Sequence, residues 1–262
     1  MPRQTQTPYT LKNVKELYGQ STNPFVAMKL VNFFLPLLLV LVTFFQARAQ
    51  ADPLPNVMQH FDASFGMFVV NKKPIVVSAL SFTRTHGVLK SRKLRLGYGL
   101  RFSNFAAAGL TYITAPYKLT KDALYDTLVV NKSMSFALNA NLHAEYIIIP
   151  KLKVGFNIDV LGVGFGRKTS ATFISSDNNG RFPTAVNAKP TTLNALLVGD
   201  NDWGQLLSEF YIGFSPAERF WIRGGFGFTF NEYSTTEKLT NDNARFRYKA
   251  PVPFLSLSYN PF

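Results

Sequence analysis

The feature that most constrains this chain is the stretch 133–166, SMSFALNANLHAEYIIIPKLKVGFNIDVLGVGFG. Apolar side chains take alternate positions on both sides of Pro150-Lys151, and Asn, His, Glu, Lys and Asp lie between them. A period of two is that of a β-strand, so the stretch predicts a hairpin of two long strands. A tilted strand needs about 9 to 11 residues to cross a bilayer. The hairpin therefore has the length and the alternation of two membrane-spanning β-strands.

The same alternation recurs along the chain. We predict further strands at 61–70, 75–83, 94–103, 206–214, 220–230 and about 250–259, with mixed faces in 75–83 that leave its facing open. Residues 167–205 and 231–247 are predicted as polar loops, and 104–131 either extends a strand or forms its own hairpin. This pattern predicts an all-β fold, a transmembrane antiparallel up-and-down β-barrel of eight strands. A ten-stranded alternative uses 105–114 and part of 167–205 as an additional pair.

The N-terminal part has the pattern of an export signal. Lys29 precedes an apolar run at 30–45, and Ala47-Arg48-Ala49 matches a cleavage site, so we expect a signal peptide at 28–49 that is cut between Ala49 and Gln50. An uncleaved anchor is the alternative. Residues 1–27 are interpreted as a non-native or disordered leader, which makes Met28 the expected initiator. The remaining domains are then a short periplasmic segment at 50–60 and the barrel at 61–262.

The amino-acid composition limits the kinds of partner that we expect for this protein. The chain has no cysteine, so disulfides are excluded, and it combines 15% aromatic with only 16% charged residues. The formal net charge is +13, and removal of residues 1–49, with five Lys or Arg and one Glu, leaves +9. Because the basic residues are scattered and form no dense run, we expect contact with anionic lipid headgroups and not with nucleic acid.

Together, the signal, the strand rhythm and the loop lengths resemble the small outer-membrane β-barrel proteins of the OmpA/OmpX type, including those common in Bacteroidota. The resemblance implies an outer-membrane protein surrounded by lipid and lipopolysaccharide, inserted by the barrel-assembly machinery and monomeric. It also implies a C-terminal assembly signal, here Leu255, Leu257, Tyr259 and Phe262. Pro261 places Phe262 out of phase with Tyr259, which departs from the family pattern.

The inward face of the predicted strands is polar. We expect a hydrogen-bonded interior network, because buried charges must be paired, formed by Asp62, Arg95, Arg101, Asn139, Asn141, His143, Glu145, Asn157, Asp159, Glu209 and Arg223. No pair of histidines has metal-ligand spacing, so we expect no metal and no cofactor. His143 and Glu145 resemble part of the Ser, His and carboxylate site of lipid-modifying barrels, but they belong to the inward face, and we expect no catalysis.

Function is predicted from the size of the barrel. Eight strands leave an interior that side chains can fill, which disfavours a wide pore. We therefore expect a structural or surface-binding role through long external loops, for a ligand that the sequence does not identify. The loop aromatics either contact a partner or pack on each other: Tyr112, Tyr117, Tyr125, Phe173, Phe182, Trp203 and Tyr233. The alternatives are a narrow channel for solutes or ions and, third, a lipid-modifying enzyme.

Overall fold

The computed structural model describes residues 54–88, 90–122, 125–175, 180–197 and 201–261. The signal peptide, its cleavage site at Ala49 and Gln50, the leader and Phe262 lie outside these residues. The strands within them are β1 (Val57–Val70), β2 (Lys73–Gly87), β3 (Leu94–Thr114), β4 (Thr127–Ile149), β5 (Leu152–Phe165), β6 (Thr169–Ile174), β7 (Ala185–Pro190), β8 (Leu193–Ala195), β9 (Leu206–Ala217), β10 (Phe220–Thr235) and β11 (Arg245–Tyr259). A short helix, α1 (Tyr117–Lys121), and a 3-10 helix (Thr240–Asp242) complete them.

Eight of these strands close into an antiparallel ring. Going round, β1 pairs with β2, β2 with β3, β3 with β4 and β4 with β5. The ring continues through β9, β10 and β11, and β11 pairs back onto β1. Closure leaves no unpaired edge along this ring, which is the condition for a sheet to exist in lipid.

The two faces of this ring have opposite polarity. Large apolar side chains are exposed on its outside, such as Phe65, Leu142 and Leu255, while charged residues are buried inside, such as Arg101 and Asp159. A protein in water shows the reverse arrangement, so the apolar belt identifies a membrane-embedded barrel. The protein is an integral outer-membrane β-barrel. Separately, no helix among the described residues is long and apolar enough to cross a membrane.

The two ends of the barrel differ in the length of their connections. One end, which we call the base, holds the short turns β2–β3, β4–β5 and β9–β10. The other, the external end, holds the long connections, as external loops are long and periplasmic turns short in barrels of this type. Asn71 and Lys72 form the exception, a tight β1–β2 turn at the external end with positive φ at both residues.

A second, smaller ring stands on the external end. There β3 and β4 continue past the ends of β1 and β2, β6 and β7 join them, and the order closes as β3–β4–β6–β7–β10–β11–β3. We call this six-stranded ring the turret. Its closing contact is the pairing of Phe246 with Thr114 and of Arg247 with Ile113, directly above the β1–β2 turn.

The turret decides between the alternatives that the sequence left open for 104–131 and corrects two further interpretations. Residues 104–131 extend two strands, so Phe105 to Thr114 belongs to β3 and not to an additional barrel pair. The polar stretch 231–247 is mostly strand and only 236–244 connects β10 to β11. The stretch 167–205 contributes β6, β7 and β8, and β8 pairs with β5. In addition, the segment 50–60 is not wholly outside the barrel, since β1 begins at Val57.

Candidate functional site in the barrel interior and turret

Each polar residue that the sequence assigns to the interior network is buried in the structure. The exposed fractions are 5% or less for the whole set: Asp62, Arg95, Arg101, Asn139, Asn141, His143, Glu145, Asn157, Asp159, Glu209 and Arg223. They lie on inward positions of β1, β3, β4, β5, β9 and β10, because inward and outward positions alternate along each strand. The prediction was wrong for Asn141, because neither polar atom of its side chain has a hydrogen-bond partner among the described residues. The contacts of the others form three levels between the base and the turret.

The level nearest the base is centred on Glu145. Its carboxylate lies 2.9 Å from Lys153 Nζ, 3.6 Å from Arg95 Nε, and 3.4 and 3.5 Å from the Nε2 atoms of His60 and His143. One carboxylate thus faces a lysine, an arginine and two imidazoles, and all of these side chains are buried. Such a charge is stable only because these partners surround it.

The base of the barrel is covered from below. The Arg95 guanidinium donates to the carbonyl oxygens of Pro55, at 2.8 Å, and Asn56, at 3.2 Å, which holds the chain ahead of β1 under the ring. His60 Nδ1 lies 2.7 Å from Asn260 Oδ1, next to the end of β11. These contacts tie the first and last strands of the ring to its floor.

The middle level is built on Arg223. It contacts Asp62 at 3.1 Å, donates to Ser256 Oγ at 2.9 Å, and lies 4.7 Å from the centre of the Tyr211 ring. Tyr211 extends over β5 to His143 Nε2 on β4, at 2.9 Å. Its ring occupies the space that a Cβ on Gly155 would fill, so the glycine on β5 is required by this crossing tyrosine.

The third level is centred on Arg101. It donates to Asp159 at 3.0 Å, to Glu209 at 3.1 Å and to the carbonyl oxygen of Leu207 at 2.8 Å. Asn157 also accepts from this guanidinium. Asn139 donates to Asp159 at 2.8 Å and accepts from Asn194 at 2.8 Å, which anchors β8 to the interior. These bonds connect β3, β4, β5, β8 and β9 across the lumen.

The interior charges balance. The buried carboxylates of the ring are Asp62, Glu145, Asp159 and Glu209, and the buried cations are Arg95, Arg101, Lys153 and Arg223. All of these except Lys153 were predicted from the sequence, although Lys153 shares the inward face of β5 with Asn157. Two further inward residues were not predicted: His60, in a segment expected ahead of the barrel, and Tyr211, an aromatic residue among polar ones.

An apolar layer lies above the polar network. It begins with Ile75, Val77, Phe105, Leu207 and Val252 at the top of the eight-stranded ring and continues through the turret. The turret contributes Leu110, Tyr112, Leu128, Val130, Ala171, Phe173, Ala188, Tyr233, Leu239 and Phe246. Side chains therefore fill the axis at this height, as they do in the core of a water-soluble barrel.

Two tyrosines inside the turret connect this layer to polar groups of β10 and β4. Tyr112 donates to Asn231 Oδ1 at 2.9 Å and Tyr233 donates to the carbonyl oxygen of Met134 at 3.1 Å. Burial raises the pKa of Tyr112 well above its usual value and that of Tyr233 to about 12. Both hydroxyls therefore stay protonated and keep donating at neutral pH.

The outer face of the turret carries its own buried ion pair. Glu232 is fully buried and lies 2.8 Å from Arg245 and 3.9 Å from Arg247, and both arginines donate to the carbonyl oxygen of Asp202. The Arg245 guanidinium stacks 3.5 Å from the Trp203 ring centre. This cluster was not predicted, because its residues lie in stretches whose polarity is typical of loops.

The aromatic residues proposed for a binding loop divide into two groups. Tyr112, Phe173 and Tyr233 are buried in the turret core, so they do not contact a partner. Phe182 packs against that core and Trp203 lies under Arg245. Tyr117 and Tyr125 alone in this set are exposed, at 45% and 52%. The interpretation in which the loop aromatics pack on each other holds for most of them.

The remaining predicted residues lie on the outside of the ring. Leu255, Leu257 and Tyr259 alternate along β11 and are exposed in the belt, whereas Phe262 is beyond the described residues. In the described part of the chain, no group of three His, Cys, Asp or Glu side chains has the arrangement of a metal site.

Comparison with known proteins gives structural likeness without sequence relatives. No protein-family model and no curated protein sequence matches the chain. Neisserial surface protein A aligns over 78% of this chain and 97% of its own, with 7% identity and a TM-score of 0.36. Ail of Yersinia pestis aligns over 78% of this chain and 98% of its own, with 11% identity and a TM-score of 0.34. A major outer membrane protein of Thermus thermophilus aligns over 79% of this chain and 100% of its own, with 10% identity and a TM-score of 0.33. Because these identities and TM-scores are low, the fold is assigned from the strand pairing and the apolar belt of this chain itself.

Proposed function

We propose that this protein is a non-conducting surface protein of the outer membrane, in which the barrel anchors the turret and the turret binds an anionic partner. The observation that supports the proposal is that side chains fill the barrel along its axis. They are polar and balanced in charge in the membrane, and apolar in the turret. A channel needs a continuous water path, and here Arg101 and its partners span the lumen below Val77, Phe105 and Leu207. A narrow solute channel is the function that this arrangement disfavours.

Planar-bilayer recording tests the closed axis. The purified protein is expected to insert with little stable conductance, because no water-filled route passes the Arg101 level and the apolar layer above it. A variant in which residues 169–190 are replaced by a short Gly-Ser linker removes β6 and β7 and serves as the comparison. Steady, ion-selective currents from the intact protein would contradict the proposal and favour the channel.

The binding surface that we propose is cationic. On the outside of the turret Lys168 precedes β6 and Lys189 lies in β7, and since Thr169 pairs with Ala188 the two lysines are neighbours across the hairpin. Both are exposed, and neither has an acidic partner among the described residues. Like charges side by side on a sheet repel each other, and a bound anion relieves this repulsion. Lipopolysaccharide phosphates are the anionic groups available at that height of an outer-membrane barrel.

Charge reversal tests this surface. A Lys168→Glu/Lys189→Glu variant is expected to bind purified lipopolysaccharide at least about tenfold more weakly, because each lysine near an anionic surface contributes about 1 kcal/mol and reversal turns attraction into repulsion. Titration calorimetry of the detergent-solubilised barrel gives the affinity. The control is Lys90→Glu/Arg219→Glu, which makes the same charge change at the base. Equal weakening by both variants would show that net charge, and not the turret surface, sets the binding.

Catalysis is not part of the proposal. His143, Glu145 and Tyr211 contact each other, but they lie deep in the lumen. The Arg95 contacts close the base below them, and the Arg223 level lies above them. Insertion by the barrel-assembly machinery through β11 and a monomeric state are further parts of the proposed function.

A further inference from the structure

The outside of the barrel has a groove in its apolar belt. Its volume is about 490 Å³, within the range of about 300 to 1,000 Å³ of small-molecule sites. It is lined by outward side chains of β11, β1, β2, β3 and β4: Phe61, Ala63, Leu80, Phe82, Leu100, Phe102, Leu138, Leu257 and Tyr259. This groove lies on the lipid side of the wall, and two residues of the inward face, Asp62 and Ser81, also border it.

The groove exists because a small side chain lies between large ones. Ala63 on β1 pairs with Leu257 on one side and Leu80 on the other, and both of these project outward beside it. One pair nearer the base, the rings of Phe61 and Phe82 contact each other at a centroid distance of 4.9 Å. The floor at Ala63 is therefore close to the backbone, while leucine and phenylalanine form the walls.

A cation lies at the base end of the groove. On β2 the outward positions run Leu80, Phe82, Arg84, so Arg84 follows the groove by about 7 Å along the strand. It pairs with Gln59 on β1 and Tyr98 on β3, which places a polar row across three strands where the belt ends. Tyr98 stacks with His86 at 6.2 Å, as expected for aromatic residues at a membrane interface. Arg84 is exposed and contacts no carboxylate among the residues that the structure describes.

We propose that this groove and Arg84 form a binding site for one glycerophospholipid of the inner leaflet, with an acyl chain along Ala63 and the phosphate on Arg84. The groove is apolar and lies in the hydrocarbon region, so its occupant is a hydrocarbon chain. The base end faces the periplasm, so the headgroup belongs to the inner leaflet and not to lipopolysaccharide. A guanidinium at the interface can hold a phosphate through two parallel hydrogen bonds, with Gln59 and Tyr98 as additional donors.

The site is tested with lipid titrations followed by native mass spectrometry in detergent. Dioleoylphosphatidylglycerol is the phosphate-bearing probe, and dioleoylglycerol has the same chains without the phosphate. The intact protein is expected to retain one phosphatidylglycerol, and to hold dioleoylglycerol at least about tenfold more weakly, because a hydrogen-bonded charge pair is lost. Arg84→Gln is expected to reduce phosphatidylglycerol binding to the level of dioleoylglycerol.

Filling the groove tests the acyl-chain part separately. Ala63→Phe is expected to abolish retention of both lipids, while Ala140→Phe, an exposed outward alanine on β4 that does not line the groove, leaves it unchanged. Folding of each variant is checked by its shift on unheated gels, and Ala63→Leu replaces Ala63→Phe if the latter does not fold. Equal retention by all variants would overturn the site. A protein dimer that Ala63→Phe dissociates would overturn it as well, because the occupant would then be a second copy of the chain.

Discussion

Replacing Glu145 by alanine is expected to lower the free energy of unfolding by about 3 to 5 kcal/mol, the cost of removing one member of a buried ion pair. Glu145 lies 2.9 Å from Lys153 and 3.6 Å from Arg95, and all three side chains are almost fully buried. Without the carboxylate, two cations face each other in a closed interior. Urea unfolding of the lipid-reconstituted protein, followed by its shift on unheated gels, measures the loss.

The control is Asn141→Ala on the same strand and the same inward face. Asn141 is equally buried, but neither polar atom of its side chain has a hydrogen-bond partner among the described residues. Its removal leaves no charge unpaired, so we expect a loss of less than about 1.5 kcal/mol. If the two alanine variants lost the same stability, the cavity and not the charge would set the cost, and the ion-pair account of the interior would fail.

Replacing Leu142 by arginine is expected to cost about 2 to 4 kcal/mol, as for a charge placed near the bilayer midplane on the lipid face of a barrel. Leu142 is 53% exposed and lies near the middle of the outward positions of β4, which run from Met134 to Ile148. The arginine must either stay in hydrocarbon or bend towards a distant interface. The same unfolding assay measures the difference.

Met134→Arg is the matched control. Met134 is also exposed and outward on β4, but it lies at the external edge of the belt, next to Lys132, where a charge costs only about 0 to 1 kcal/mol. An arginine that was tolerated equally at both positions would show that the belt along β4 does not face lipid, and would contradict the inside and outside assignment of the whole ring.

The facing of the membrane strands could be predicted from the sequence because lipid and the polar interior act on alternate residues. In 94–103, Leu96 and Leu100 are outward, and Arg95 and Arg101 are inward, as the alternation indicates. The strand 75–83 could not be assigned because it crosses two environments. Ile75 and Val77 face the apolar layer under the turret, whereas Leu80 and Phe82 face lipid, so both faces of the strand are apolar.

The turret was not predicted because the polarity of the strands inverts as they leave the membrane. In the belt, β3 is polar inside and apolar outside, whereas above it Leu110 and Tyr112 are inside and Thr111 is exposed. The phase also shifts at the boundary, where Gly109 has a φ of +61° and Lys73 donates to its carbonyl oxygen. A period-two pattern that inverts and shifts is typical of a loop when it is read along the sequence alone.

The turret also determines the order in which the chain can be assembled. Strand β11 pairs with β1 and β10 in the membrane ring and with β3 in the turret, so the same strand completes both closures. Its partners β1 and β3 lie more than a hundred residues earlier in the sequence, and such distant pairings form slowly because a long loop must first be closed. The apolar layer and the ion pairs below it therefore gain their full enclosure only when β11 pairs with β1 and β3.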